Sequence, residues 1–222
     1  MLNTGGNQLF FFEEPDLAFS FITIAQFGQD YSKNNDGYVY LYSPSGKYKA
    51  HLLNMARVKK EHILDRDKWE YFVSINDQGN SEWAMGEIEK RGVVHTFPEG
   101  WGFYSWSPSV IWNDKLGLFI MACAGTQKPG TGEVLESYMH YETAGLIMLW
   151  AENPWGPWNQ FYWDESWNAG DPENRTYLPQ ISPKWISDDG RSMYLIFSDC
   201  TQGYTIHYKW NMQKFRLIFN SD

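Results

Sequence analysis

SPSVIWNDKLGLFIMACAG, residues 107–125, is an apolar run, a tight polar turn at Asn113-Asp114-Lys115 and a second apolar run. Asn and Asp between two such runs signal a hairpin, because they tolerate the backbone angles a reversal demands. A third run, GLIMLWAEN (145–153), follows after a long loop. The same order of events occurs twice more. Upstream, FSFITIAQFG (19–28) leads to a turn at Asn35-Asp36-Gly37, then YVYLYS (38–43) and HLLNMARV (51–58). Downstream, LPQISPKWI (178–186) leads to Asp188-Asp189-Gly190, then SMYLIFSDC (192–200) and YTIHYKWN (204–211). The three turn aspartates Asp36, Asp114 and Asp189 lie 78 and then 75 positions apart.

A three-run unit repeated at this step predicts an all-β chain. The expected architecture is a β-propeller of the five-bladed type, or a partial propeller of about three four-stranded antiparallel blades, in which sheets pack face to face and leave only short edges. The chain reads as one domain, 1–222, with units at about 17–96, 97–168 and 169–222. A β-sandwich is the alternative, but it would need evenly spaced short strands and leaves the repeat unexplained. Lys59 to Trp69 is the one short helix expected, EWAMGEIEKRGVVHTF (82–97) supplies outer strands, and Pro154-Trp155-Gly156-Pro157-Trp158 makes a corner before NQFYWDES (159–166). Three blades do not close a ring of ordinary size, so self-association that covers the exposed blade edges is expected.

Composition agrees and excludes much. Aromatic residues make up 18% of the 222 positions and charged residues 20%, with a net charge of −9. Aromatics favour pleated, half-buried surfaces. Lys and Arg are scattered, which argues against nucleic acid as a partner. No stretch reaches the roughly 18 consecutive apolar residues of a membrane span, and Met1 to Gln8 lacks the basic segment and apolar run of a secretion signal. Cys123 and Cys200 both fall in strand-like runs and read as buried free thiols rather than a disulfide.

The order of motifs resembles a bacterial family of five-bladed propellers known as domain of unknown function 4185, similar in outline to furanosidase and arabinanase-like glycoside hydrolases. The residues carrying it are FGQDY (27–31) followed by DGYVYLY (36–42), MARV (55–58), ILDR (63–66), WEYF (69–72), AENPWGPW (151–158), and Lys184-Trp185 with Asp188-Asp189-Gly190. The resemblance implies a secreted bacterial protein that cleaves glycosidic bonds in furanose polysaccharides such as arabinan. It also implies about two further blades upstream of the matched region, which this chain lacks, and it transfers no catalytic residue by motif.

The repeat gives direction to the disc. The Asp-rich turns share one face, where Asp36, Asp114 and Asp189 read as turn residues, and the longer loops gather on the opposite face. That loop face carries Trp101, Tyr104, Trp106, Trp167, Tyr177 and Tyr204, whose rings suit the C–H faces of sugars, with blade packing as the alternative role for each. Arg175 can clamp a hydroxyl pair or form a surface ion pair, and His140 lies with Glu142 in the longest loop, 126–143. Glycoside hydrolysis needs two carboxyl groups, one kept protonated by its surroundings. Asp199, at the end of the apolar run MYLIFSD, Glu142 and Asp16 are the candidates. No phosphate-cradling glycine loop, nucleophile elbow or helical His pair occurs. No cofactor is required by this chemistry, and no metal ligand is assigned. A calcium ion in a central channel fits the acidic balance, as it would in a propeller lactone hydrolase.

Overall fold

The computed structural model describes residues 16, 18–19, 21–45, 51–98, 104, 107–126, 144–172, 176–199 and 209–219, with Asp199 described by its backbone alone. These residues form thirteen strands in three antiparallel sheets. The first sheet holds β1 (Thr23–Ile24), β2 (Tyr38–Pro44), β3 (Leu52–Lys59), β4 (Glu70–Ile75) and β5 (Ser81–Met85) in that order, with β6 (His95–Thr96) paired to β3. The second is a four-stranded meander of β7 (Ser109–Asn113), β8 (Leu118–Gly125), β9 (Gly145–Ala151) and β10 (Asn159–Asp164). The third contains β11 (Thr176–Ile181), β12 (Ser192–Asp199) and β13 (Trp210–Arg216). The blades are therefore six-, four- and three-stranded among the described residues, not uniformly four-stranded.

Side-chain alternation makes the sheets stack. On β2, Tyr40 and Tyr42 face the second sheet while Val39 and Leu41 face away, where Ala18, Phe19 and Trp69 cover them. On β8, Met121 and Cys123 join Tyr42, Met55 and Phe72 in the seam between blades 1 and 2. Its alternate residues Ile120 and Ala122 meet Ile181, Met193, Leu195 and Phe197 in the seam between blades 2 and 3. Both faces of β8 are thus covered, and its run is almost continuously apolar, as a doubly buried strand should be.

The turns also lock neighbouring blades. The buried Asn113 side chain donates to the Gly190 carbonyl at 2.7 Å, and its oxygen accepts from the N–H groups of Lys115 and Leu116. Gly190 has φ +72°, and a Cβ there would lie 2.6 Å from Lys115 Cβ, so both the turn and the close approach require glycine. Lys33 reaches Asp114 at 3.1 Å and ties the first turn to the second. The three Asp-rich turns therefore do share one face.

Three sequence expectations need correction. Lys59 to Trp69 is not one helix but two single 3-10 turns, Lys60–His62 and Arg66–Lys68. The segment has no apolar stripe to bury, and Leu64 is 88% exposed. Only the second hairpin is tight: β7 pairs directly with β8 across 114–117, whereas β1–β2 and β11–β12 enclose longer connections. The last strand runs Trp210–Arg216, later than the apolar run 204–211 from which it was expected.

Candidate functional site

The first strands of the three blades, β1, β7 and β11, line one axial cleft. Gln26 pairs with Ile111 in parallel, its N–H donating to the Val110 carbonyl at 2.8 Å and its carbonyl accepting from Trp112 at 2.7 Å. The Ile181 N–H donates to Ser109 Oγ at 2.9 Å, joining the third first-strand to the second. Parallel inner strands of successive antiparallel sheets are the geometry of propeller blades about an axis. Between them lies a cleft of about 410 Å³ whose polar lining comes from Thr23, Gln26, Ser109, Gln180, Ser182 and Lys184.

These groups are suited to hydroxyl-rich ligands. Gln26 Nε2 donates to the Ile24 carbonyl, which leaves its side-chain oxygen open. The Gln180 amide and the Lys184 ammonium have no hydrogen bond or ion pair among the described residues. The set offers amide donors and acceptors, hydroxyls and one cation, and among the described residues no lining residue is a carboxylate. Such groups can pair with hydroxyls both as donors and as acceptors. Sequence reasoning passed over this site, although a signal was present: each apolar first run carries polar residues within it, Gln26, Ser109 and Gln180 among them.

The expected site residues scatter. Asp199 closes β12 opposite Thr176, the first residue of the innermost strand β11 and four positions before Gln180, where β11 begins to line the cleft. Asp16 does not face the axis. Its carboxylate is held by Arg91 and by the Ala18 N–H, and Gly92, next to Arg91, donates to the Phe72 carbonyl on β4 in the outer part of blade 1. Partial desolvation pushes the Asp16 carboxyl up, but those hydrogen bonds and the Arg91 charge outweigh it and hold it below its ordinary value. Asp16 is thus an ionised anchor, not a proton donor.

Tyr104 is fully buried, with its ring 5.5 Å from Phe97 and its hydroxyl accepting from Trp163 Nε1 at 3.0 Å. A Cβ on Gly125 would lie 2.6 Å from the ring, so glycine is what lets Tyr104 close the seam. Burial raises its phenol well above the ordinary range. Tyr104 therefore packs blades together and offers no face to a sugar. Trp167 stacks edge-on to Phe197 at 5.0 Å in the groove between blades 2 and 3. Tyr177 pairs with Ser198 on the half-open side of blade 3. Trp101, Trp106, His140, Glu142, Arg175 and Tyr204 lie outside the described residues.

The remaining titratable groups serve the fold. Asp36 accepts from the Tyr38 N–H and the Tyr40 hydroxyl, at 2.9 and 2.6 Å. Asp189 accepts from Ser187, the Arg191 N–H and Arg216, which hold its carboxyl well below the carboxylate range. Arg57 is sandwiched between the rings of Tyr38 and Trp83, at 4.5 and 4.0 Å, and paired with Glu70 at 2.6 Å. Cys123 is free and buried, and burial pushes its thiol up; Cys200 lies outside the described residues. Among the described residues no three His, Cys, Asp or Glu side chains gather to hold a metal, and no helix is long and apolar enough to cross a membrane.

Comparison with solved structures finds likeness to glycoside hydrolases. An exo-β-1,3-galactanase from Phanerochaete chrysosporium, solved with galactose, is 13% identical at TM-score 0.43, with 80% of this chain and 32% of that one covered. An exo-β-1,3-galactanase from Clostridium thermocellum is 14% identical at TM-score 0.40, with coverage of 83% and 39%. A thermostable family-43 glycoside hydrolase is 10% identical at TM-score 0.36, with coverage of 90% and 91%. This chain spans about a third of the length of the fungal galactanase, and none of these likenesses transfers a residue or a substrate. No curated protein matches the sequence significantly. The motif order resembles domain of unknown function 4185, whereas the match found is to a different numbered family. Residues 13–160, about two thirds of the chain, match the family described as "Domain of unknown function (DUF5005)", and the chain belongs to it.

Proposed function

We propose that this chain is a glycoside hydrolase-like propeller that takes an oligosaccharide into the axial cleft and cleaves a furanose-containing, arabinan-like polysaccharide. The observation that carries the binding half is the convergence of amides, hydroxyls and one amine from all three innermost strands on a single cleft. Saccharide hydroxyls need such two-sided donors and acceptors. The furanose preference rests on the family resemblance alone. For hydrolysis the chain would use Asp199, at the end of β12 opposite Thr176, and Glu142, from the long loop, as the acid and base or acid and nucleophile. A separation of about 5–5.5 Å gives retention, and about 6.5–9.5 Å gives inversion.

A second reading, a non-catalytic glycan-binding module, is favoured by two observations: Asp16 is committed to Arg91, and the cleft lining carries no carboxylate among the described residues. Reducing-sugar release from arabinans and related polysaccharides separates the two. We expect release by the chain that collapses at least 100-fold in folded Asp199→Asn or Glu142→Gln variants, as loss of a general acid or base does. Retained glycan binding without release from any substrate would leave the binding module.

A further inference from the structure

We propose that the axial cleft recognises an acidic saccharide, with Lys184 holding the carboxylate of a uronate unit. This rests on the reading of the cleft as a glycan site and names the substrate class it takes.

The chain carries 27 acidic and 18 basic residues, so a polar groove on it should more often hold a carboxylate than a cation. The axial cleft reverses that expectation. Among the described residues Lys184 is its only charged lining residue. Five cations elsewhere on the described surface are paired with carboxylates: Lys33 with Asp114, Lys90 with Glu87, Arg57 with Glu70, Arg91 with Asp16 and Arg216 with Asp189. Among the described residues Lys184 has no such partner, and the Gln180 amide in the same lining also has none. An ammonium has three donors and no acceptor, so a neutral hydroxyl uses it poorly, whereas a carboxylate matches both its charge and its hydrogen-bonding sense. Gln26 and Gln180, with both donors and acceptors, suit the hydroxyls on either side. The negative charge of the whole chain does not forbid an acidic ligand: at physiological salt it is screened beyond about 8 Å, while a contact ion pair is not.

The test compares an oligogalacturonate with its carboxyl-reduced counterpart, which keeps the same rings and linkages but bears CH₂OH in place of the carboxylate. Binding of each to the full chain is measured by calorimetry at physiological salt, with circular dichroism as the folding control. The acidic form should bind about 3–10-fold tighter, the factor expected of one charge-assisted contact near the surface. Lys184→Gln should erase that factor, weakening the acidic form more than the neutral one until the two bind alike. Lys184→Arg should retain the factor, and Gln180→Ala should weaken both ligands alike. Equal binding of the two forms by the unaltered chain, or a preference that survives Lys184→Gln, overturns the uronate assignment while leaving the glycan site standing. Failure of both forms and of neutral arabinan oligosaccharides to bind overturns the glycan reading itself.

Discussion

Blade 2 buries both of its faces, and blade 3 buries one. Strand β8 is buried along all but its first residue, whereas on β13 only Asn211 and Phe215 are half-buried and the rest are exposed. The sequences differ accordingly. LFIMACAG is apolar throughout, while WNMQKFR alternates: Phe215 packs against the seam with blade 2, and Trp210, Met212 and Lys214 line the other side. Apolar continuity in a strand thus reports how many of its faces are covered, and alternation reports that one is not. The same contrast explains why the polar cleft lies on the axis. There the inner strands meet edge to edge, polar side chains remain accessible, and the seams on either side stay dry.

The contrast is tested most strongly at adjacent residues of β8. Ile120 faces blade 3 and Met121 faces blade 1, and both are fully buried. Ile120→Ala and Met121→Ala should each lower stability by about 2–5 kcal/mol, the usual cost of a core cavity. The measurement is the urea midpoint at constant slope. If Ile120→Ala cost less than about 1 kcal/mol while Met121→Ala cost the full amount, the seam between blades 2 and 3 would be loose and the comparison would fail.

Acid sharpens the distinction between the two seams. His95 lies on β6 with its ring 4.8 Å from Phe97, beside the seam of blades 1 and 2, and burial pushes it down to about 4. Its folded-state value is below the ordinary 6.5. Between those values the unfolded chain binds the proton and the folded chain does not, so stability rises with pH across this window and is lost as pH falls from about 6.5 towards 4. The loss should reach about 3 kcal/mol. His95→Phe should flatten the slope of urea midpoints between pH 6.5 and 4. A slope that persists in the variant would assign the acid sensitivity to other groups.

Much of this architecture was legible in the sequence, because strand and turn signals are local. The three hairpin turns, the runs beside them and the common face of the Asp-rich turns all follow from neighbours a few positions apart. What failed depended on partners far along the chain. Tyr104 read as a sugar platform, but its hydroxyl meets Trp163, 59 positions away, and its ring sits on Gly125. Asp16 read as a catalytic candidate until Arg91, 75 positions away, claimed its carboxylate. The cleft was missed for a related reason. Gln26, Ser109 and Gln180 are each unremarkable in their own run and become a site only when three sheets are arranged about one axis.

The smallest expected effect lies on the half-open blade. Met212 on β13 is 46% exposed and faces the side of blade 3 away from blade 2, beside Trp185 and Trp210. Because its side chain already meets water, Met212→Ala removes little buried area and leaves no cavity. The cost should stay within about 0.5 kcal/mol, the usual range for surface positions. Calorimetric melting over a wide range of protein concentration is the informative measurement, since anything that binds only the folded chain adds stability by mass action. A loss near 2 kcal/mol that grows with concentration would mean that a second copy covers this face in solution. The alternation of β13 would then mark an interface between chains, and the difference between the two blades would disappear on assembly.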